Sequence, residues 1–371
     1  MAATAFIAPE IFTGSEIQTG KAVLVKEGKI QGITTKDAVP AGYRKEELGG
    51  HLLAPAFVDL QIYGGNGKVF SAELTTEAIE ATYESCLQGG CTQFQITLAT
   101  NSIERFIRSL EVAREYRNGG GKGLLGVHLE GPYINPVKRG AHQERFIKKP
   151  TVAEIDQLLR KGKDLFRMMT LAPEQCDREC IALLLNSGVV VSAGHSNASY
   201  EEAVDGFYQG ITAATHLFNA MSPLQGRQPG IVGAIYDNND VRCSVVCDGI
   251  HVDFASVRIS KKIMQHRLFF ITDAVAEVNY GEYAYVFKGD RYTLPDGTLA
   301  GSALTMLQAV RNGVEKCGIP LPEALRMASL YPATVMGLQN QLGVIAPGAR
   351  ADLILLDEEM NLLQVIVDGE R

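Results

Sequence analysis

The stretch Gly123–Gly131, GLLGVHLEG, is one of eight short apolar runs between residues 51 and 275. Its nearly continuous hydrophobicity is typical of a parallel strand that is buried on both faces. The other seven runs, in chain order, are HLLAPAFVDLQIY (51–63), CTQFQITLAT (91–100), RMMTLAP (167–173), VVVSAGHS (189–196), AATHLFNA (213–220), VRCSVVCDGIH (241–251) and LFFITDAV (268–275). Together they predict eight buried strands.

Most of the gaps between these runs carry helix signals. Apolar residues recur at three-and-four spacing, capping residues stand before the periodic segments at Thr75–Glu77, Ser199 and Asp253, and Gly89 and Gly188 follow such segments. Apolar strands that alternate with helices predict an α/β fold, a (β/α)8 TIM-like barrel. A doubly wound open sheet is the structural alternative.

The two ends of the chain break this pattern. Residues 1–50 contain short β-like pieces such as KAVLVKEGKIQGITT (21–35), and residues 343–371 contain GVIAPGARADLILLDEEMNLLQVIVDGE (343–370). We expect these ends to form one small, discontinuous β-sandwich domain, and residues 51–342 to form the barrel.

The composition excludes several classes of protein. The chain has 371 residues, a net charge of -7 and scattered basic residues, which argues against nucleic acid as a partner. It has no run of eighteen apolar residues, and its first residues lack the pattern of a signal peptide. Its seven cysteines include no C-x-x-C pair, which suits a reducing compartment. We therefore expect a cytoplasmic protein with no membrane partner.

Polar side chains stand at or just after the ends of the apolar runs. They are His128, Glu130, His142, His195, His216, Asp248, His251 and Asp273. In a barrel of this type the C-terminal ends of the strands meet at one face, where the chemistry is located. Five of the seven histidines fall here, so the pattern indicates a shared site.

Three of these residues form a set that suits a catalytic metal. Imidazole and carboxylate bind borderline divalent ions, and a catalytic zinc site has three protein ligands plus water. Glu130, His195 and His216 provide that set. Asp273 follows an apolar run, where a carboxylate needs a partner, and it can take the proton of an activated water. The alternative for Asp273 is a structural carboxylate that holds a loop.

The first strand lacks the His-x-His pair that two-metal barrel hydrolases place there. Gln61 and Tyr63 occupy the two inward positions of FVDLQIYGG (57–65). An amide carbonyl and a neutral phenol are poor substitutes for imidazole. The stretch therefore predicts one metal per site.

The motifs around these residues resemble the amidohydrolase superfamily and, within it, the family of amino-sugar-phosphate deacetylases. The matching pieces are HLEGPYINPVKRGAH (128–142), AGHSNASYEEA (193–203), THLFNAMSPLQGRQPGIVGA (215–234), DGIHVD (248–253), ITDAVAE (271–277), DGTLAGSALTM (296–306) and PGARADLILLD (347–357). They occur in the family's order and cover most of the chain.

The resemblance implies a role for each matching residue. It makes Glu130, His195 and His216 the metal ligands, Asp273 the general acid/base and His142 the contact to the acetamide carbonyl. It places the substrate against residues Ala141, His142, Asn219, Ala220, Arg227, His251, Leu299, Ala300 and Gly301, with Arg227 and His251 as the phosphate-binding pair.

The implied reaction is hydrolysis of N-acetylglucosamine 6-phosphate to glucosamine 6-phosphate and acetate. The implied cofactor is one divalent metal per chain, zinc first, with Fe²⁺, Co²⁺ or another divalent ion as alternatives. The implied assembly is a homodimer, and a phosphate site completed across its interface is one of the open alternatives. Alternative functions are deacetylation of the galacto epimer, another amide or cyclic-amide hydrolysis, and a non-catalytic scaffold.

Overall fold

The computed structural model describes residues 3–371. Its strands are β1 (Thr4–Ile7), β2 (Glu10–Phe12), β3 (Ile17–Thr19), β4 (Lys21–Lys26), β5 (Lys29–Thr35), β6 (Arg44–Glu47), β7 (Leu52–Pro55), β8 (Phe57–Ile62), β9 (Gly64–Gly65), β10 (Lys68–Val69), β11 (Cys91–Ala99), β12 (Leu124–Glu130), β13 (Phe166–Leu171), β14 (Val190–Ala193), β15 (Ala213–Ala214), β16 (Arg242–Val245), β17 (Leu268–Phe270), β18 (Val286–Phe287), β19 (Arg291–Thr293), β20 (Leu299–Ser302), β21 (Leu353–Leu356) and β22 (Leu362–Ile366).

The helices separate the strands as the sequence predicts. They are α1 (Phe70–Glu73), α2 (Thr76–Gln88), α3 (Ile103–Asn118), α4 (Val152–Gly162), α5 (Arg178–Asn186), α6 (Tyr200–Tyr208), α7 (Gly230–Asp237), α8 (Phe254–Met264), α9 (Met306–Glu315), α10 (Leu321–Ala328) and α11 (Leu330–Val335). Within residues 3–371, none of them combines the length and the hydrophobicity that crossing a membrane requires.

The eight predicted runs form one sheet in chain order, β8-β11-β12-β13-β14-β15-β16-β17. The N–H of Tyr63 donates to the carbonyl oxygen of Ala274 at 2.9 Å, and the N–H of Asp273 donates to that of Gln61 at 2.9 Å. These bonds join the ends of the first and eighth strands, as does a parallel bridge between Ile62 and Ala274. The predicted barrel is confirmed, and the open-sheet alternative is wrong because the two outer strands are hydrogen-bonded to each other.

The local sequence explains these elements. All nine residues of β11 are buried, which accounts for its continuous apolar character. The Ser199 side chain and Glu202 form a reciprocal capping box at the start of α6, and the Asp253 side chain accepts the N–H of Ala255 at the start of α8. The predicted helix starts therefore rest on observed caps.

The chain folds into two compact units. The first comprises the residues up to Asp59, Cys86–Gln93 and Met306–Arg371, and the second comprises Leu60–Ser85 and Phe94–Thr305. The expected boundaries differ from these, since they assign 51–59, 86–93 and 306–342 to the barrel. The expected two-domain division stays a prediction.

The first unit contains two sheets, ordered β5-β4-β1-β6 and β22-β21-β7-β2-β3. The second of these joins the two ends of the chain, because β21 pairs antiparallel with β7. Phe6 and Val23 from one sheet and Ile11, Leu53 and Leu355 from the other belong to a single buried cluster. The two sheets therefore share one core, as the strands of a β-sandwich do.

Candidate metal centre and active site

A cavity of about 190 Å³ opens among the loops that follow the barrel strands. Twelve of the thirteen predicted site residues line it: Glu130, Ala141, His142, His195, His216, Asn219, Ala220, His251, Asp273, Leu299, Ala300 and Gly301. Arg227 is the exception. Residues at the strand ends and residues implied by the resemblance therefore line one cavity.

Glu130, His195 and His216 place three ligand atoms at the corners of a nearly equilateral triangle. Glu130 Oε1 lies 3.0 Å from His216 Nε2 and 3.3 Å from His195 Nε2, and the two nitrogens are 3.1 Å apart. Two ligands of one tetrahedral zinc ion, bonded at about 2.0–2.1 Å, stand roughly 3.3 Å from each other. All three residues are buried, so the triangle fits a divalent metal ion.

The surroundings of His195 and Glu130 favour this use. His195 Nδ1 lies 2.9 Å from the carbonyl oxygen of Lys138, so Nδ1 carries the proton and the Nε2 lone pair faces the triangle. His216 also points Nε2 inward, while its Nδ1 has no hydrogen-bond partner within residues 3–371. Burial alone would raise the pKa of Glu130, but His195, His142 and His216 outweigh it and hold that pKa well below its ordinary value. A charged carboxylate is the form that binds a cation.

Four of the site residues have a left-handed backbone, and Ala220 is one of them with a φ of 50°. The φ angles are 47° at His195, 38° at His216 and 55° at Asp273. Non-glycine residues seldom adopt this region, and such strain is concentrated at functional sites. The strand-to-loop turns therefore store strain where these side chains enter the cavity.

Asp273 follows β17 and is held by the first strand. Gln61 Nε2 donates to Asp273 Oδ1 at 2.8 Å and to Glu130 Oε1 at 3.0 Å. Removal from bulk water raises the pKa of Asp273, and His216 opposes this without cancelling it. A carboxylate with a raised pKa beside a metal triangle can accept and return a proton.

His142 contacts the triangle from the loop after β12. Its Nε2 lies 3.1 Å from Glu130 Oε2, and its Nδ1 accepts the N–H of Thr100 at 3.3 Å. Burial and the nearby His195 lower the pKa of His142 to about 4, so the ring is neutral near pH 7. Since Nδ1 is an acceptor, the proton is assigned to Nε2, which makes His142 a donor toward the cavity.

The end of the first strand holds no imidazole: Gln61 in β8 and Tyr63, the first residue after it, both contact Glu130. The Tyr63 hydroxyl donates to Glu130 Oε2, and Gln61 Nε2 reaches Oε1 of the same carboxylate. Burial and the charge of Glu130 raise the pKa of Tyr63, which keeps the phenol neutral. These two residues thus hydrogen-bond to Glu130, a member of the cluster that could hold a metal ion.

The predicted phosphate-binding pair is not brought together in this chain. His251 lines the cavity, but its Nδ1 lies 2.6 Å from Asp248 Oδ2 and its Nε2 lies 2.7 Å from the carbonyl oxygen of Ala300. Arg227 is exposed and lines a separate surface depression beside Ser199 and Tyr200. The loop after β15 carries Arg227 toward the start of α6, which the local sequence does not reveal.

Several residues line the cavity that the sequence pattern does not predict. Ala99, Val275, Tyr283 and Tyr285 face the cavity together with Tyr63. The sequence contains a weak signal, because three tyrosines fall in the six residues 280–285, shortly after Asp273. His128 is excluded from the cavity lining: it is fully buried and contacts Thr170 and the carbonyl oxygen of Leu60.

The chain is similar to known proteins over nearly its whole length. The Amidohydrolase family model matches residues 52–371. The N-acetylglucosamine-6-phosphate deacetylase of Haemophilus influenzae is 34% identical over 371 residues, which cover 97% of each chain. The N-acetylgalactosamine-6-phosphate deacetylase of Shewanella sp. is 32% identical over 375 residues, 97% of this chain and 94% of the relative.

The same likeness appears in solved structures. The crystal structure of N-acetylglucosamine-6-phosphate deacetylase from Pasteurella multocida superposes with a TM-score of 0.95 at 34% identity, covering 99% of both chains. The family model spans most of the sequence, and the fold agrees over nearly all of it. This chain belongs to the amidohydrolase family.

Proposed function

We propose that this protein hydrolyses the acetamide of N-acetylglucosamine 6-phosphate, releasing acetate and glucosamine 6-phosphate. The observation that carries the proposal is the buried triangle of Glu130, His195 and His216 with Asp273 and His142 beside it. The relatives named above, which are deacetylases of amino-sugar phosphates, supply the substrate class.

We propose one divalent metal per chain, held by Glu130, His195 and His216, with zinc first because two imidazoles and a carboxylate suit it. When bound, such an ion lowers the pKa of a water molecule and polarises the amide carbonyl. Ligand type leaves Fe²⁺ and Co²⁺ as alternatives. The contacts of Gln61 and Tyr63 with Glu130 support a single ion per site.

Asp273 transfers the proton during hydrolysis, and His142 supplies a hydrogen bond to the substrate. Asp273 accepts the proton of the attacking water and delivers it to the amide nitrogen, so that the amine departs as a neutral leaving group. His142 donates its Nε2 proton in a hydrogen bond to the carbonyl oxygen, which becomes an oxyanion in the tetrahedral stage. Gln61 holds Asp273 Oδ1 at 2.8 Å and thereby leaves Oδ2 for the transfer.

The sugar and its phosphate need further contacts. We assign the sugar to Ala141, Asn219, Ala220 and the segment Leu299–Gly301, which line the cavity. His251 lies at the same cavity and can release its bond to the Ala300 carbonyl to meet a phosphate oxygen. Arg227 lies away from this cavity. We therefore propose that the protein is a homodimer in which the Arg227 side chain of one chain reaches the phosphate bound by the other. The cytoplasmic location stays a prediction.

Acetate release from the purified protein tests the function. N-Acetylglucosamine 6-phosphate, its galacto epimer and unphosphorylated N-acetylglucosamine are compared as substrates, together with the metal content of the same sample. Preference for the gluco phosphate with about one metal per chain supports the proposal. Preference for the galacto epimer would reassign the substrate, and a metal-free protein inactive on all three would favour the scaffold alternative.

A further inference from the structure

One side of the cavity is apolar. Tyr63, Ala99, Val275, Tyr283 and Tyr285 all line it, and all five belong to one buried hydrophobic cluster. We call these five residues the acyl wall. The polar side chains of the lining belong to other residues, namely Glu130, His142, His195, His216, Asn219, His251 and Asp273.

The acyl wall lies next to the reacting groups. The Tyr63 hydroxyl donates to Glu130 Oε2, and His142 Nε2 lies 3.1 Å from the same oxygen. The Tyr283 hydroxyl donates to the carbonyl oxygen of Thr100 at 2.6 Å, and the Thr100 side chain contacts His142 Nδ1 at 2.6 Å. The wall therefore borders the donor that we assign to the amide carbonyl.

An N-acetylated amino-sugar phosphate has one methyl group, and it is bonded to that carbonyl carbon. The rest of the molecule presents hydroxyls, a ring oxygen and a phosphate. Burying a polar group without a partner is costly, whereas burying a methyl group is favourable. Resting on the proposed function, we infer that the acyl wall encloses the acetyl methyl and restricts the enzyme to short N-acyl groups.

The wall is built to resist a longer chain. Tyr283 and Tyr285 stack with ring centroids 6.2 Å apart at 9°, and both rings are buried. Val275 and Ala99 are also buried, at 6% and 3% exposure, so an additional methylene has to displace packed atoms. One methylene in such a pocket changes discrimination by roughly 10–200-fold.

Two substitutions that change the space beside the acyl wall in opposite directions test the inference. Val275→Ala enlarges the space and Ala99→Val fills it. Val286→Ala is the matched control, since it removes the same atoms from the nearby β18 at a position that does not line the cavity. The measurement is kcat/KM for the N-formyl, N-acetyl and N-propionyl forms of glucosamine 6-phosphate. Each ratio compares kcat/KM for two substrates measured on the same variant. A smaller folded fraction lowers both values equally and leaves the ratio unchanged.

We expect Val275→Ala to raise the propionyl-to-acetyl ratio about tenfold, and Ala99→Val to raise the formyl-to-acetyl ratio about tenfold. Val286→Ala keeps both wild-type ratios. If the wild-type protein deacetylates the N-acetyl substrate and both variants keep its ratios within about twofold, the acyl wall is overturned and the proposed function stands. If the wild-type protein hydrolyses none of the three substrates, both proposals fall together.

Discussion

Gln61 and Asp273 are joined twice: Gln61 Nε2 donates to Asp273 Oδ1 at 2.8 Å, and the N–H of Asp273 donates to the Gln61 carbonyl oxygen at 2.9 Å. The first and eighth barrel strands thus hold the proposed base by both its side chain and its backbone. The side-chain bond fixes which carboxylate oxygen faces the substrate.

Replacing Gln61 with methionine keeps the side-chain length and removes the amide donor. We expect kcat to fall about ten- to a hundredfold, because the base loses its orientation, with KM for the sugar phosphate within about twofold. Steady-state kinetics measure kcat and KM separately. The variant Gln61→Asn tests whether a shorter amide restores part of kcat. A change in KM alone would assign Gln61 to substrate binding.

Asp273→Asn removes the proposed proton carrier and preserves the size of the side chain. Turnover should fall by about 10²–10⁴-fold, while the metal content remains that of the wild-type protein, since Asp273 is not one of the three proposed ligands. Acetate release and elemental analysis are measured on one sample. Unchanged turnover would mean that Asp273 only fixes its loop.

Glu130→Gln removes the one negative charge from the proposed metal site. We expect the bound metal to fall well below one per chain, and activity to return only partly when Zn²⁺ is added. Glu144→Gln, an exposed carboxylate on the loop that follows β12, is the control and should keep its metal. Two tightly bound ions per wild-type chain would contradict the single-metal interpretation of Gln61 and Tyr63.

Arg227→Ala tests the phosphate assignment. If a partner chain supplies this side chain, KM should rise about tenfold or more for the phosphorylated sugar and remain unchanged for the unphosphorylated one, because a charge-assisted bond is lost. Arg178→Ala, another exposed arginine, is the control. Equal effects on both substrates would remove Arg227 from the phosphate site.

The buried His128 is expected to make the folded protein less stable at acidic pH. Burial lowers the pKa of His128 to about 4, below the ordinary 6.5, so the unfolded chain binds a proton more readily than the native one. Stability from this group is present above pH 6.5 and is lost as the pH falls toward 4. Between about pH 7 and pH 5 the loss is about 2 kcal/mol.

Urea unfolding at the two pH values measures that loss. In His128→Gln the decrease in unfolding free energy between about pH 7 and pH 5 should be smaller by about 2 kcal/mol, because glutamine does not titrate. The test compares how much the unfolding free energy of each protein changes between the two pH values. A lower absolute stability of the variant therefore does not affect the result. The same slope in both proteins would show that His128 is not the responsible group.

The sequence by itself determined the barrel and the kinds of side chain at the C-terminal ends of its strands. Eight apolar runs of strand length alternate with capped helices, and strand periodicity decides which side chains point inward. Because parallel strands end on one face, the sequence predicts that Glu130, His195 and His216 lie close together.

Only the tertiary structure decided how these groups contact one another. The Gln61–Asp273 bond, the binding of Tyr63 to Glu130 and the wall built with Tyr285 all join segments that are distant along the chain. The path of the loop that carries Arg227 away from the cavity is equally invisible in local sequence. Strand position follows from short-range periodicity, whereas loop paths and hydrogen-bond partners depend on packing among remote segments.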